Sequence, residues 1–276
     1  MLSFASSGGV DVAVHDLGGE GPPVLFVHAT GFCGAVWEPV AAELADHRCW
    51  ALDVRAHGSS SRPTDGDLSW DTAADDVLAV VDGLGLGQPL GVGHSMVGAL
   101  LLLAEIARPG AFGGLVLYEP IVMPDDHDLP SMDGENPLAV AAARRRPEFE
   151  SLEAARTNFS SKPPLHVFTP DAMDAYLRGG FEELEDGTVR LRCAPEDEAQ
   201  NYRMGGQHRA PHHLGEVRCP VTVVHGAPDA VPGPADFAAD VAARLGNGRL
   251  VELPELGHFG PMEAPGAIAA LIRASS

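Results

Sequence analysis

Three polar residues in this 276-residue chain stand in contexts suited to acyl transfer. Ser95 lies in "GVGHSMVGALLLLAE", where an apolar run ends at Gly-His-Ser and an Ala/Leu-rich helix pattern begins. That pattern reads as a strand, a sharp turn and a helix, with the hydroxyl lifted onto the turn. A serine hydroxyl is a weak nucleophile. It needs a base within hydrogen-bond reach and an acid to orient that base. His258, in "ELPELGHFGPMEAP", is the one of twelve histidines in a Gly-His loop that follows a strand near the C-terminus. Asp229, in "HGAPDAVPG", also follows a strand and is the expected acid, preferred for its Gly-x-x-Asp context. Glu119, directly after its own strand in "LYEP", is the alternative acid. The tetrahedral intermediate would need two fixed N–H donors, each worth about 3 to 4 kcal/mol, and the residue after the nucleophile, Met96, supplies one.

The elements that must position these residues alternate along the chain. Apolar, β-branched runs at 11–17, 23–28, 48–54, 89–94, 114–119, 220–226 and 249–254 read as strands, and one further strand is left unplaced. Helical patterns near 35–46, 71–84, 95–108, 233–245 and 261–273 lie between them, so the fold class is α/β with a mostly parallel sheet. Residues 120–215 break the alternation. They contain helix-like pieces but no buried-strand run, and read as a mainly helical cap inserted into a core of 1–119 and 216–276. Charges in "ARRRPEFE" and "FEELEDGTVR" are read as solvated faces of that cap. Phe159, Phe168, Tyr176, Phe181 and Tyr202 are read as its own core, with the underside of the cap as the alternative.

Composition excludes several functions. Acidic residues outnumber basic ones 39 to 18, a formal net charge of -21, which argues against nucleic acid and anionic membrane as partners. The first residues lack the basic start and apolar core of a signal peptide, so a cytoplasmic location is expected. Cys33, Cys49, Cys193 and Cys219 have no CxxC spacing, which suits reduced thiols. His208, His212 and His213 in "QHRAPHHL" have metal-ligand residue types, but Pro211 breaks the helix that would align them, so no metal and no cofactor is expected.

Five local motifs together resemble the α/β-hydrolase fold superfamily over nearly the whole chain. "VLFVHATGF" is similar to its oxyanion loop, "LDVRAHGSSSRP" to its Asp-x-Arg-Gly-x-Gly-x-Ser segment and "GHSMVG" to its nucleophile elbow. "GAPDAVPG" resembles its acid loop and "GHFGPMEAP" its Gly-His loop. The order Ser, Asp, His is also that of this superfamily. The resemblance implies a cap after the fold's sixth strand, a second oxyanion donor at Thr30, a hinge role for His28, and a pocket that includes Phe32, Phe259 and Val231. It also notes Glu119 as standing where some members keep their acid. His94 is expected to pack under the turn. Three departures matter: Val97, Ala29 and Ala56 replace family glycines, and any of these sites needing φ > 0 would be strained.

The resemblance implies a cofactor-independent serine hydrolase that cleaves carboxylic esters of small to medium apolar substrates through an acyl-enzyme. With the same triad, carbon-carbon, thioester or peracid chemistry is the alternative; a non-catalytic ligand binder on this scaffold is another. Dehalogenase and epoxide hydrolase readings are disfavoured because those members use an aspartate nucleophile. The expected partner is a small-molecule ester.

Overall fold

The computed structural model describes residues 1–123, 136–228 and 233–276. The chain opens with β1 (Leu2–Ala5), β2 (Asp11–Gly18), β3 (Pro23–Val27), α1 (Glu38–Ala42), β4 (Arg48–Leu52), α2 (Trp70–Gly83), β5 (Leu90–His94), α3 (Met96–Ala107) and β6 (Gly114–Tyr118). It continues with α4 (Pro137–Ala143), β7 (Glu148–Phe149), α5 (Leu152–Ser160), α6 (Pro170–Gly180), β8 (Phe181–Glu183), β9 (Val189–Leu191), α7 (Pro195–Met204) and α8 (Ala210–His213). It closes with β10 (Val221–His225), α9 (Pro234–Arg244), β11 (Gly248–Glu252), α10 (Gly260–Glu263) and α11 (Pro265–Arg273).

Eight strands form the main sheet in the order β1-β2-β4-β3-β5-β6-β10-β11. Neighbours pair in parallel except at β1–β2 and β2–β4. Every residue of β5 and β6 is buried, as a strand with helices over both faces must be. Their near-continuous apolar sequences follow from that double burial. Because the parallel strands share one direction, their C-terminal ends gather the residues that follow β3, β5, β6 and β11 at one edge.

The α/β core with a mostly parallel sheet is as the sequence implies, and three details differ. The unplaced strand is β1, too short and too exposed to show alternation. The helix pattern at 261–273 is broken after Glu263, because Pro265 lacks an N–H and restrains Ala264 (φ −141°, ψ 70°). The region 120–215 is not wholly helical: β7, β9 and β8 form a small antiparallel sheet. Strands of two or three residues carry too little pattern to read. Described residues of this region add no strand to the main sheet, yet Phe168, Tyr176 and Phe181 share one buried cluster with Phe26, Phe32 and Trp37.

Candidate active site

Ser95 joins β5 to α3 in a backbone conformation that L-residues rarely adopt, φ 61° and ψ −126°. Three hydrogen bonds hold it there. Its N–H donates to Tyr118 O on β6 (2.9 Å), and its carbonyl accepts from Gly98 N (3.0 Å) and Ile121 N (3.1 Å). The close approach that demands glycine falls at Gly98, where a Cβ would meet Pro120 Cβ at 2.5 Å. Val97 is fully buried in the main apolar cluster instead. The elbow is therefore complete with valine at 97, because the crowded position is the next one along.

His258 lies in the loop after β11, and its Nδ1 is 2.6 Å from Glu119 Oε2. Glu119 follows β6 with φ 46°, and its other oxygen accepts from Gly226 N (2.9 Å). A carboxylate can only accept, so Nδ1 carries the proton and Nε2 is left as a base. The backbone of this loop is pinned as well. His94 Nε2 donates to His258 O (2.7 Å), and the Tyr118 hydroxyl donates to Gly257 O (2.7 Å). The His94 and His258 rings stand 4.9 Å apart, which brings the residue before the nucleophile against the base. Asp229, expected as the acid, and Val231, expected in the pocket, lie outside the described residues. Among the described residues, the partner of the imidazole Nδ1 is Glu119.

Thr30 and Met96, the expected oxyanion donors, meet: Thr30 Oγ1 reaches Met96 Sδ at 3.1 Å. Two buried histidines brace the Thr30 loop. Val54 N donates to His28 Nε2 (3.0 Å), so Nδ1 bears the proton and donates to Ala29 O (2.8 Å). Burial, helped by nearby His57, pulls His28 down to about 3. Gly31 N donates to His57 Nε2 (3.0 Å), whose Nδ1 donates to Arg55 O (3.0 Å), and burial again lowers the imidazole. Asp53 accepts from Gly34 N (2.6 Å), Ser59 N (2.8 Å) and His15 Nε2 (3.0 Å). Burial would raise that carboxyl, but these donors, led by His15, hold it below its ordinary value. Ala29 escapes the feared strain, because Gly31 takes the left-handed conformation (φ 79°). Ala56 does not escape it, with φ 61°.

The sequence profile of the Alpha/beta hydrolase family matches residues 24–271. The chain belongs to that family. Among relatives, it is 27% identical over 267 residues to Lipase LipV of Mycobacterium tuberculosis, covering 96% of this chain and 97% of that one. It is also 27% identical over 260 residues to Haloalkane dehalogenase 2 of the same species, covering 92% and 87%. The solved structure of E-2-(acetamidomethylene)succinate hydrolase superposes with a TM-score of 0.80 at 22% identity, over 99% of this chain and 98% of the other.

Within this hydrolase-family frame, the wall beside His258 is aromatic. Phe32 packs against Phe259 (5.9 Å), Phe168 (5.7 Å) and Tyr176 (5.5 Å), and Phe259 against His258 (5.3 Å). Phe168 and Tyr176 thus touch the pocket wall directly, Phe159 and Phe181 pack behind them on Tyr176 and on Phe149, and Tyr202 packs by Ala139, Ala142 and Ala199. One charge read as solvated is turned inward: Arg145 donates to Glu198 Oε2 (2.5 Å) and to the Tyr176 hydroxyl (2.8 Å). Burial works against that guanidinium's charge, but Tyr176 and Glu198 raise it above its ordinary value. Nothing in "ARRRPEFE" separates Arg145 from its neighbours, so this pair is invisible in sequence. His208 Nε2 donates to Ile121 O (3.0 Å) and its ring stacks on Trp70 (5.0 Å), while His213 pairs with Glu216 (2.8 Å), so these two do not converge. Cys33 is fully buried, and burial pushes its thiol up. No helix among the described residues is long and apolar enough to cross a membrane.

Proposed function

We propose that this chain is a serine hydrolase that cleaves carboxylic esters of small to medium apolar substrates. Ser95 attacks the carbonyl; His258 Nε2 takes its proton and returns it to the leaving alkoxide; Glu119, rather than Asp229, orients the imidazole through Nδ1. The N–H groups of Met96 and Thr30 hold the oxyanion, and water then releases the acyl-enzyme. The observation that carries this reading is the 2.6 Å contact from Glu119 to a histidine packed beside the residue preceding a strained serine. The aromatic wall of Phe32, Phe168 and Phe259 favours apolar acyl groups, with 120–215 acting as a cap that supplies one side of it. A cytoplasmic location fits four buried, unpaired cysteines, and the net charge of -21 fits a small-molecule partner rather than nucleic acid.

A fluorophosphonate probe tests the mechanism. Rapid labelling of the wild type that Ser95→Ala abolishes is the expected result. An unlabelled wild type would favour a ligand binder on this scaffold.

A further inference from the structure

The buried ion pair of the inserted region does not merely hold that region together. It is seated on the loop that carries an oxyanion donor. A Cβ on Gly31, the residue after Thr30, would lie 2.6 Å from Glu198 Oε1 and 3.2 Å from Arg145 Nη1. The carboxylate thus stands closer to the loop than the guanidinium does. Glu198 is 5% exposed at its side chain and Arg145 21%, so both charges act through a poorly screened environment. Tyr176, which accepts from Arg145, is also the residue packed on Phe32 of the pocket wall.

The other charged groups around this loop are already committed. Asp53 is bound by Gly34 N and His15, Asp197 pairs with Arg62 at 2.6 Å, and His57 is held neutral by burial. The charge presented beside Gly31 is therefore set by Arg145 and Glu198 together.

We propose that Arg145 and Glu198 are the specificity-determining pair of this site, and that Glu198, by occupying the guanidinium, keeps it selective for neutral acyl groups over acyl groups bearing a carboxylate. This rests on the esterase reading above and deepens it. A carboxylate carried to the Gly31 side of the site by an acyl chain would stand nearer the Glu198 oxygen than the guanidinium and be repelled. Remove that carboxylate and the same approach meets an uncompensated cation.

The experiment compares 4-nitrophenyl butyrate with the 4-nitrophenyl hemiester of succinate, which differ in a terminal carboxylate. The quantity read is the ratio of kcat/KM for the hemisuccinate to that for the butyrate. Glu198→Gln should raise this ratio about tenfold and Arg145→Gln should lower it about tenfold, the size expected from one unit of charge in a partly buried setting. The double variant Arg145→Met with Glu198→Met, which keeps the region neutral, should fall between them. If Glu198→Gln loses its melting transition, the other two variants still fix the order. A merely structural role would lower both esters together and leave the ratio where it was in all variants that fold, and that result overturns the proposal while leaving the esterase reading intact. A wild type that hydrolyses neither ester overturns both.

Discussion

Three non-glycine residues of the described structure have positive φ, and comparing them separates strain that performs chemistry from strain that supports it. Ser95 and Glu119 each sit one residue past a strand, at the ends of β5 and β6, and their side chains are the proposed nucleophile and orienting acid. Ala56 has no reactive side chain. Its turn instead delivers the next residue, His57, to a position under Gly31 N. Each such sparsely populated backbone conformation costs about 1 to 3 kcal/mol. The cost is offset at Ser95 by three backbone hydrogen bonds and at Glu119 by Val224 O, Gly226 N and His258. At Ala56 the offset is one bond, from its N–H to Ser61 O at 3.1 Å.

Breaking the first member of this comparison should have the largest effect. Ser95→Ala should abolish ester turnover, on the order of a 10⁶-fold loss in kcat, with little change in melting temperature. Glu119→Gln should follow at about 10⁴-fold, because an amide at Nδ1 permits the wrong imidazole tautomer. Asp229→Asn should do much less. Steady-state kinetics on one ester decide between the two, and an Asp229 variant more damaged than the Glu119 variant would return the acid to the loop after β10.

That assignment shows where sequence reasoning reached its limit. Ser95 and His258 could be placed at strand ends because their local motifs announce a turn and a loop. The alternating pattern likewise announced the α/β core. The choice between Glu119 and Asp229 depends on which carboxylate reaches a ring that lies 139 residues along the chain from the first and only 29 from the second, and local context is silent on reach. It favoured Asp229 for its neighbours; the structure puts Glu119 on the nitrogen. The Arg145 and Glu198 pair was hidden for the same reason, since burial of one arginine among three is a property of packing. Valine at 97 carries no penalty of this kind, because the close approach to Pro120 falls at Gly98, one residue beyond the position the motif marks.

The histidine braces give a smaller effect with a definite sign. His28 has an ordinary value of 6.5 and is pulled to about 3 when folded. The unfolded chain therefore binds a proton below 6.5 that the folded chain refuses, so the contribution is fully present above 6.5 and is lost as pH falls toward 3. Near pH 5.5 the loss from this one group is about 1.4 kcal/mol. Urea denaturation at about pH 7.5 and about pH 5.5 should show the wild type losing more stability than His28→Asn over that interval. Parallel profiles would mean that His28 is charged or exposed in the folded protein.

The smallest change should come from Ala56→Gly. Relief of the left-handed penalty exceeds the added freedom of the unfolded chain, for a net gain of about 0.5 to 1 kcal/mol. Thermal melting should rise slightly while kcat stays near wild type. A fall in kcat with no gain in stability would show that the alanine methyl shapes the loop under Gly31.

One consequence of the shared aromatic cluster concerns how the molecule comes apart. Phe168 and Tyr176 of the inserted region and Phe26, Phe32 and Trp37 of the core lie in the same buried assembly. Detaching the inserted helices would strip one side of that assembly and wet the other, so neither part has a low-lying state in which it is unfolded alone. Amide protons of α6 and of β3 should then exchange with solvent through the same opening event, at similar protection. Grafting in the equivalent region of a relative would have to rebuild that whole aromatic contact, which makes the inserted region a poor candidate for exchange as a module.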